Sequence, residues 1–206
     1  ERDGVVFRLS REDKACGGDG VPLTFVEFDV AGVRPVDAFN VMADSVREPE
    51  WDKHCARMTP LGDMEQLHAR GYAGLFVAPQ APISSREAYE WQVASANFTS
   101  EEFWLVFSTA LNEELLLRRA PDRGTVQMEN CLAGYRFTKT AAGVHVVMTQ
   151  QVNSHPWPLT ARTVTNMAWG DSVDWAKALG ERALQQSRRQ WNATRTVLPP
   201  WMLRDA

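Results

Sequence analysis

The side chains with the most chemical reach lie in short alternating runs. Arg86, Ala88, Glu90, Gln92 and Ala94 share one side of such a run, which would place a guanidinium, a carboxyl and a carboxamide on one strand face. Period alone favours the opposite face, Tyr89, Trp91 and Val93, as the one packed inward. Val126, Met128, Asn130 and Leu132 alternate with Gln127 and Glu129. Met148 and Gln150 alternate with Val147, Thr149 and Gln151. Methionine adapts to an irregular wall, and an asparagine among apolar neighbours needs a partner. These types suit the holding of a ligand, with a polar anchor inside an otherwise greasy wall. As acid–base groups, Glu90 and His145 are the candidates, and a dyad of Cys55 or Cys131 with a distant histidine is the nucleophilic alternative. There is no HExxH, HxH, GxSxG, P-loop or GxGxxG. Neither a metal nor a cofactor is expected.

The 206 residues are 44% hydrophobic and 23% charged, with a net charge of −4. That is the balance of one globular domain, spanning residues 1–206, with an irregular tail from about 196. A global basic field for nucleic acid is excluded. Every apolar run stops well short of the ~20 residues that span a bilayer. Cys16, Cys55 and Cys131 are odd in number and form no CxxC, so neither a disulfide framework nor a zinc site is expected. This usage agrees with a reducing, cytoplasmic compartment. The sequence begins at Glu1, which leaves open a leader or a longer chain upstream.

The elements that must position these residues follow from pattern. Residues 5–9 and Thr24–Val30 read as strands, the second with Thr24, Val26, Phe28 and Val30 on one face. Cys16–Pro22 reads as a loop. Pro35 opens a helix in which Val36, Phe39, Met42, Ala43 and Val46 recur at helical spacing, and Glu48-Pro49 ends it. Trp51-Asp52 follows in a turn. Strands are expected at Gln66–Ala78, Arg86–Ser95, Glu102–Leu111, Leu115–Arg119, Thr125–Thr138 and Val144–Asn153. Turn signals separate them and no helix intervenes, so the sheet is antiparallel. A long helix runs from about Leu159 to Arg195, with Val164, Ala168, Ser172, Trp175, Leu179 and Ala183 on one stripe and a kink expected near Gly170. The class is α+β: a curved antiparallel sheet around one long C-terminal helix. One helix fills such a concave face only in part, so an internal, mostly apolar cavity is expected, on the order of 300–1,000 Å³.

In this setting the sequence resembles the StAR-related lipid-transfer (START) domain. The resemblance rests on Trp51-Asp52 after a Pro-started helix and on Ser85-Arg86-Glu87-Ala88-Tyr89, similar to an Arg-Asp-Phe-Val strand. It rests also on Ser108 within Phe107-Ser108-Thr109, on Gly134, Pro158 and Asn166, and on Val173-Asp174-Trp175-Ala176. It covers about residues 24–185 and implies a helix-grip fold sheltering one lipid under the C-terminal helix. It also turns Arg86, Glu90 and Gln92 inward, against the preference from period alone, and puts Trp175 and Leu179 against ligand. If Glu90 is buried beside Arg86, the two must be hydrogen-bonded. The pattern departs at Gln92, where the family often has a second arginine, and at Gln151 or Asn153, where it has an aspartate. A neutral carboxamide disfavours a phosphate head and favours one such as a sterol hydroxyl.

The expected function is non-catalytic binding and intermembrane transfer of one lipid: a sterol, fatty acid or phospholipid. The lining would be Arg86, Glu90, Gln92, Met128, Asn130, Met148, Val164, Ala168, Ser172, Trp175 and Leu179. Ala94–Glu101 with the helix near Gly170 would form the gate, and Phe98 and Trp157 would touch membrane transiently. The protein is expected to be a monomer. The alternatives are an enzyme resembling polyketide aromatase/cyclases, and a lipid-sensing regulatory domain of a longer protein.

Overall fold

The computed structural model describes residues 3–10, 23–64, 68–77, 84–109, 124–153, 161–188 and 203–205, with the side chains of Ser10, Met64, 161–168 and 203–205 left aside. Cys16–Pro22, Leu115–Arg119, Trp157 and Pro158 therefore lie outside the described residues.

Strands β1 (Val6–Ser10) and β2 (Leu23–Ala31) form an antiparallel pair. In β2 it is Val26 and Phe28 that are buried. Helix α1 (Pro35–Ala43) starts on Pro35, where a missing N–H costs nothing, and nearly every residue in it is buried. It ends at Asp44, earlier than the spacing suggests. The chain tightens into a 3₁₀ helix, Ser45–Glu50, because a residue before proline resists α geometry. This puts Val46 on the surface while Ser45 and Glu48 point inward.

Seven further strands among the described residues complete the main run: β3 (Cys55–Met64), β4 (Ala69–Phe76), β5 (Arg86–Asn97), β6 (Glu102–Ser108), β7 (Val126–Gln127), β8 (Glu129–Lys139) and β9 (Gly143–Asn153). Their order in the curved sheet is β1-β2-β9-β8-β6-β5-β4-β3, antiparallel throughout, with β7 parallel to the start of β5. A short β10 (Leu203–Asp205) lies parallel to Ala94–Ala96, beyond the point where β4 stops covering that edge of β5. The expected tail thus contributes a strand, and β3 was not foreseen. The first stretch of the expected gate, Ala94–Asn97, is strand; the turn proper is Phe98–Glu101, where Asn97 Oδ1 accepts from the backbone N–H of Thr99 and Ser100.

Helix α2 (Ala161–Arg188) follows the sheet in sequence. It lies against α1 and comes close to β2. The approach to β2 passes over Gly180, where a Cβ would already meet Val30 at 3.4 Å. The buried side of α2 is Ser172, Val173, Ala176, Leu179 and Ala183. Trp175 is half-buried and meets Tyr135 and Trp51. The main core joins α1, α2 and β2, β5, β6, β8 and β9, with Phe39 tilted against Phe103 and edge-on to Phe137. A second, smaller cluster of Cys55, Met58 and Tyr72 packs with Phe76 under β3 and β4.

Cys55 is a free, buried thiol, whereas Cys131 is disulfide-bonded. The disulfide corrects the reading of the cysteine count and removes that count as an argument for a reducing compartment.

Candidate functional site

Strand β5 settles which of its faces turns inward. Ala88, Glu90, Gln92, Ala94 and Ala96 are buried, while on the other face Glu87 and Tyr89 are buried but Trp91, Val93 and Ser95 are only half-buried. Glu90 takes its hydrogen bond from Asn130 Nδ2, at 2.9 Å. Arg86, at the start of the strand, instead donates to the carbonyl of Ser84 and is half-buried. The Arg86–Glu90 pair expected from the shared face is thus replaced by a Glu90–Asn130 pair.

Asn130 reaches Glu90 because of a bulge. Register runs Asn130↔Val152 and then Leu132↔Gln151, so the strand gains one residue against β9 at Cys131. An extra residue turns every later side chain to the other face. Asn130 is therefore buried, Leu132 is exposed, and Ala133, Tyr135 and Phe137 take over the inner face. The partner strand changes phase too: Val144, Val146 and Met148 are buried, then Gln151 and Asn153. Met128 lies between β7 and β8, half-buried, its N–H bonded to the Glu87 carbonyl.

Gln92 is fully enclosed, with 0% exposure. Its Nε2 donates to the Ala43 carbonyl and to Ser45 Oγ, which ties β5 to the junction of α1 and the 3₁₀ helix. One turn on, that helix presents Glu48 to the interior, and Asp52 follows with its Oδ1 accepting the His54 N–H at 2.8 Å.

Burial pushes the Glu48 carboxyl well above its usual range, and the neighbouring Asp52 and Glu90 push it further. Burial also raises Asp52, and it raises Glu90 to about 6 against the pull of Asn130. Tyr135, on β8, is raised by burial and then by the same three carboxyls. Cys55 feels burial first and those carboxyls next, and its thiol is strongly held protonated. A thiol so disfavoured as thiolate makes a poor nucleophile. Among the described residues, no three His, Cys, Asp or Glu converge as a metal cage.

Cys55 belongs to the small apolar cluster and Tyr135 to the large one. Glu48, Asp52 and Glu90 act on both, so this polar group adjoins both clusters. Several buried polar atoms there lack a partner: Gln92 Oε1, Asn130 Oδ1 and Trp51 Nε1. Glu48, Glu90 and Tyr135 are surrounded on all sides, yet each keeps 7% of its accessible surface. Aromatic rings border the group, with Tyr135 5.8 Å from Trp175 and 5.7 Å from Phe107.

Of the residues singled out from sequence, Glu90, Gln92 and Asn130 come together, and Ser172, Met148 and Leu179 are buried. Val164 and Ala168 are in α2, but their side chains lie outside the described set. His145 sits on the outer face opposite Asp29, at 3.0 Å from its carboxylate, and so is not an interior acid or base. Sequence reading took Trp51-Asp52 as a landmark and Cys55 as a candidate nucleophile, but missed Glu48 and Tyr135 as parts of the site. Glu48 was legible only as the residue before a helix-ending proline.

No family model matches the chain, and no curated protein matches it in sequence. Solved structures do match. Human STARD10 is 12% identical and superposes with a TM-score of 0.77, over 98% of this chain and 78% of its own. Human StAR-related lipid transfer protein 5 is 13% identical with a TM-score of 0.75, over 91% and 85%. The di-domain ARO/CYC protein StfQ of the steffimycin biosynthetic pathway is 12% identical with a TM-score of 0.51, over 81% and 52%. At such identities the likeness is one of fold. In its sheet order, its single long closing helix and these superpositions, the chain has a helix-grip fold similar to that of these structures.

Proposed function

We propose that the chain binds one hydrophobic molecule between the sheet and α2 and carries it between membranes without chemical change. The observation that carries this reading is the set of enclosed polar atoms left unpaired beside the apolar core. A close-packed interior pairs its buried polar atoms. Here two apolar clusters flank enclosed carboxyls and unmatched amide oxygens. That is the wall of a guest site: greasy on two sides, with a few polar groups to orient what enters. The fold likeness to human StAR-related lipid transfer protein 5 supports it.

Transfer follows from burial. Removing apolar surface from water gains roughly 25 cal/mol per Å², but a bilayer offers the same gain. Exchange between protein and membrane is therefore nearly isoenergetic, and the protein's contribution is to keep the guest dry in between. The β5–β6 turn at Phe98–Glu101 is the membrane-facing side in this reading, with the Phe98 ring 54% exposed. The test is native mass spectrometry of the purified protein with extraction, followed by transfer of a fluorescent lipid between liposomes. A stoichiometric guest and protein-dependent transfer are expected. Failure to take up any lipid from liposomes overturns the proposal.

One observation favours an enzyme instead. Glu90, held near 6 by burial, is suited to act as a general acid close to neutrality. The ARO/CYC protein shows that the architecture is shared with proteins of biosynthetic pathways. A Glu90→Gln variant that still binds its guest but stops turnover would select this reading over transfer.

A further inference from the structure

The unmatched groups of the interior are not a random mixture. Beside Glu90 the free atom of Asn130, which is 92% buried, is the acceptor Oδ1, its Nδ2 being spent on the carboxyl. One position along the same face of β5, the free atom of fully enclosed Gln92 is again the acceptor Oε1, its Nε2 being spent on Ala43 and Ser45. Glu48 and Asp52 add carboxyl oxygens from the 3₁₀ helix and the turn after it, Tyr135 faces them from β8, and Cys55 from β3. The donors there are neutral: the Trp51 indole N–H, the Tyr135 hydroxyl and the Cys55 thiol. Arg34 pairs with Asp37, Arg47 and Arg182 with Glu50, Lys53 with Asp174 and Arg70 with Asp63, while His54, whose backbone N–H bonds Asp52, has its Nε2 3.5 Å from Asp171.

Resting on the guest-binding reading above, we propose that this site selects an amphiphile with a primary ammonium head. The Glu90 carboxylate neutralises its charge, Asn130 Oδ1 and Gln92 Oε1 accept its N–H groups, and its apolar chain lies against Tyr135, Trp175 and Leu179. An anionic head is disfavoured, because it would meet the Glu90 carboxylate with the Glu48 and Asp52 carboxyls close by. An ammonium supplies a counter-charge for Glu90 and donors for the two unmatched amide oxygens. The aromatic rings around the group add attraction for a cation.

The test uses the whole chain and three single-chain probes of equal length below their micelle concentrations: dodecylamine, dodecanol and dodecanoate. Binding is followed by titration calorimetry in buffers of different ionisation enthalpy. Dodecylamine is expected to bind at least about tenfold tighter than either other probe at pH 7.5. Its affinity should rise roughly tenfold from pH 5 to pH 7.5, as Glu90, which titrates at about 6, becomes the anion that receives it. At pH 6 its binding should release protons. Glu90→Gln, checked for folding by circular dichroism, should abolish the proton release and at least most of the preference for amine. If dodecanol or dodecanoate binds as well as the amine, or if amine binding takes up protons, guest binding stands and the ammonium inference falls. If none of the three binds, both fall.

Discussion

A buried carboxyl whose proton is held too tightly leaves a signature in stability, and Glu90 is the clearest case. Its ordinary value of 4.5 rises to about 6 in the fold, mainly through burial. The folded state thus keeps a proton that the unfolded chain gives up. The stabilisation is complete below about 4.5 and is lost as pH rises through about 6. A shift of this size corresponds to about 2 kcal/mol. Glu48 works in the same direction at higher pH. Urea denaturation of the unliganded protein should show wild type losing stability between pH 4.5 and 7.5. Glu90→Gln, which keeps an acceptor for Asn130, should lose up to about 2 kcal/mol less. Parallel stability curves for the two proteins would show that Glu90 is not held in a dry environment. The same measurement separates a carboxyl kept for its charge from one kept for its shape. Glutamine preserves the second role and removes the first.

Among the elements, the sheet depends on close backbone approach at one point. Gly143 opens β9, and a Cβ there would stand 2.1 Å from the Val30 carbonyl oxygen. Gly143→Ala should therefore force β9 away from β2 and cost more than the roughly 1 kcal/mol of a typical substitution. Thermal melting that leaves the variant within a degree of wild type would contradict that. Most strands were readable because alternation and turn residues agree, as in β5, β6 and β9. What escaped did so for physical reasons. β3 carries Pro60 and Gly62, two residues that argue against a strand; register shifts fall at Cys55/Arg57 and Pro60/Gly62. The Cys131 bulge leaves no mark in period-two counting, so Leu132 read as inward when it is exposed. The inward turn of Glu90 and Gln92 ran against hydrophobic period, since polar residues on a buried face look like a solvent face. Only the family resemblance pointed the right way, and the wall that makes the inversion tolerable, Glu48 and Tyr135, comes from elements distant in sequence.

For the whole molecule, binding and release require the grip to open, and the contacts that close it are unequal. On its inner side α2 is held by buried Val173, Ala176, Leu179 and Ala183. On its outer side a row of polar contacts clasps it to the rest of the chain. Asp3 pairs with Lys177 at 2.6 Å, Lys53 with Asp174, Glu50 with Arg182 at 2.5 Å, and the buried Asp37 with Ser187 near the helix end. Pairs as exposed as Lys53–Asp174 contribute little to stability and are screened by salt. They can still set how often α2 lifts, because each must break before the helix moves. Lys53→Met with Asp174→Asn should then leave the melting temperature nearly unchanged while guest exchange with liposomes accelerates several-fold. Raising ionic strength should accelerate exchange by wild type and have a smaller effect on the double variant. Uncharged liposomes keep salt from acting through the membrane surface, which matters for a chain of net charge −4. If exchange is as slow in the double variant as in wild type, and equally indifferent to salt, α2 is not the moving part. Exchange would then have to pass by the β5–β6 turn alone, where variants of Phe98 and not of Lys53 would change the rate.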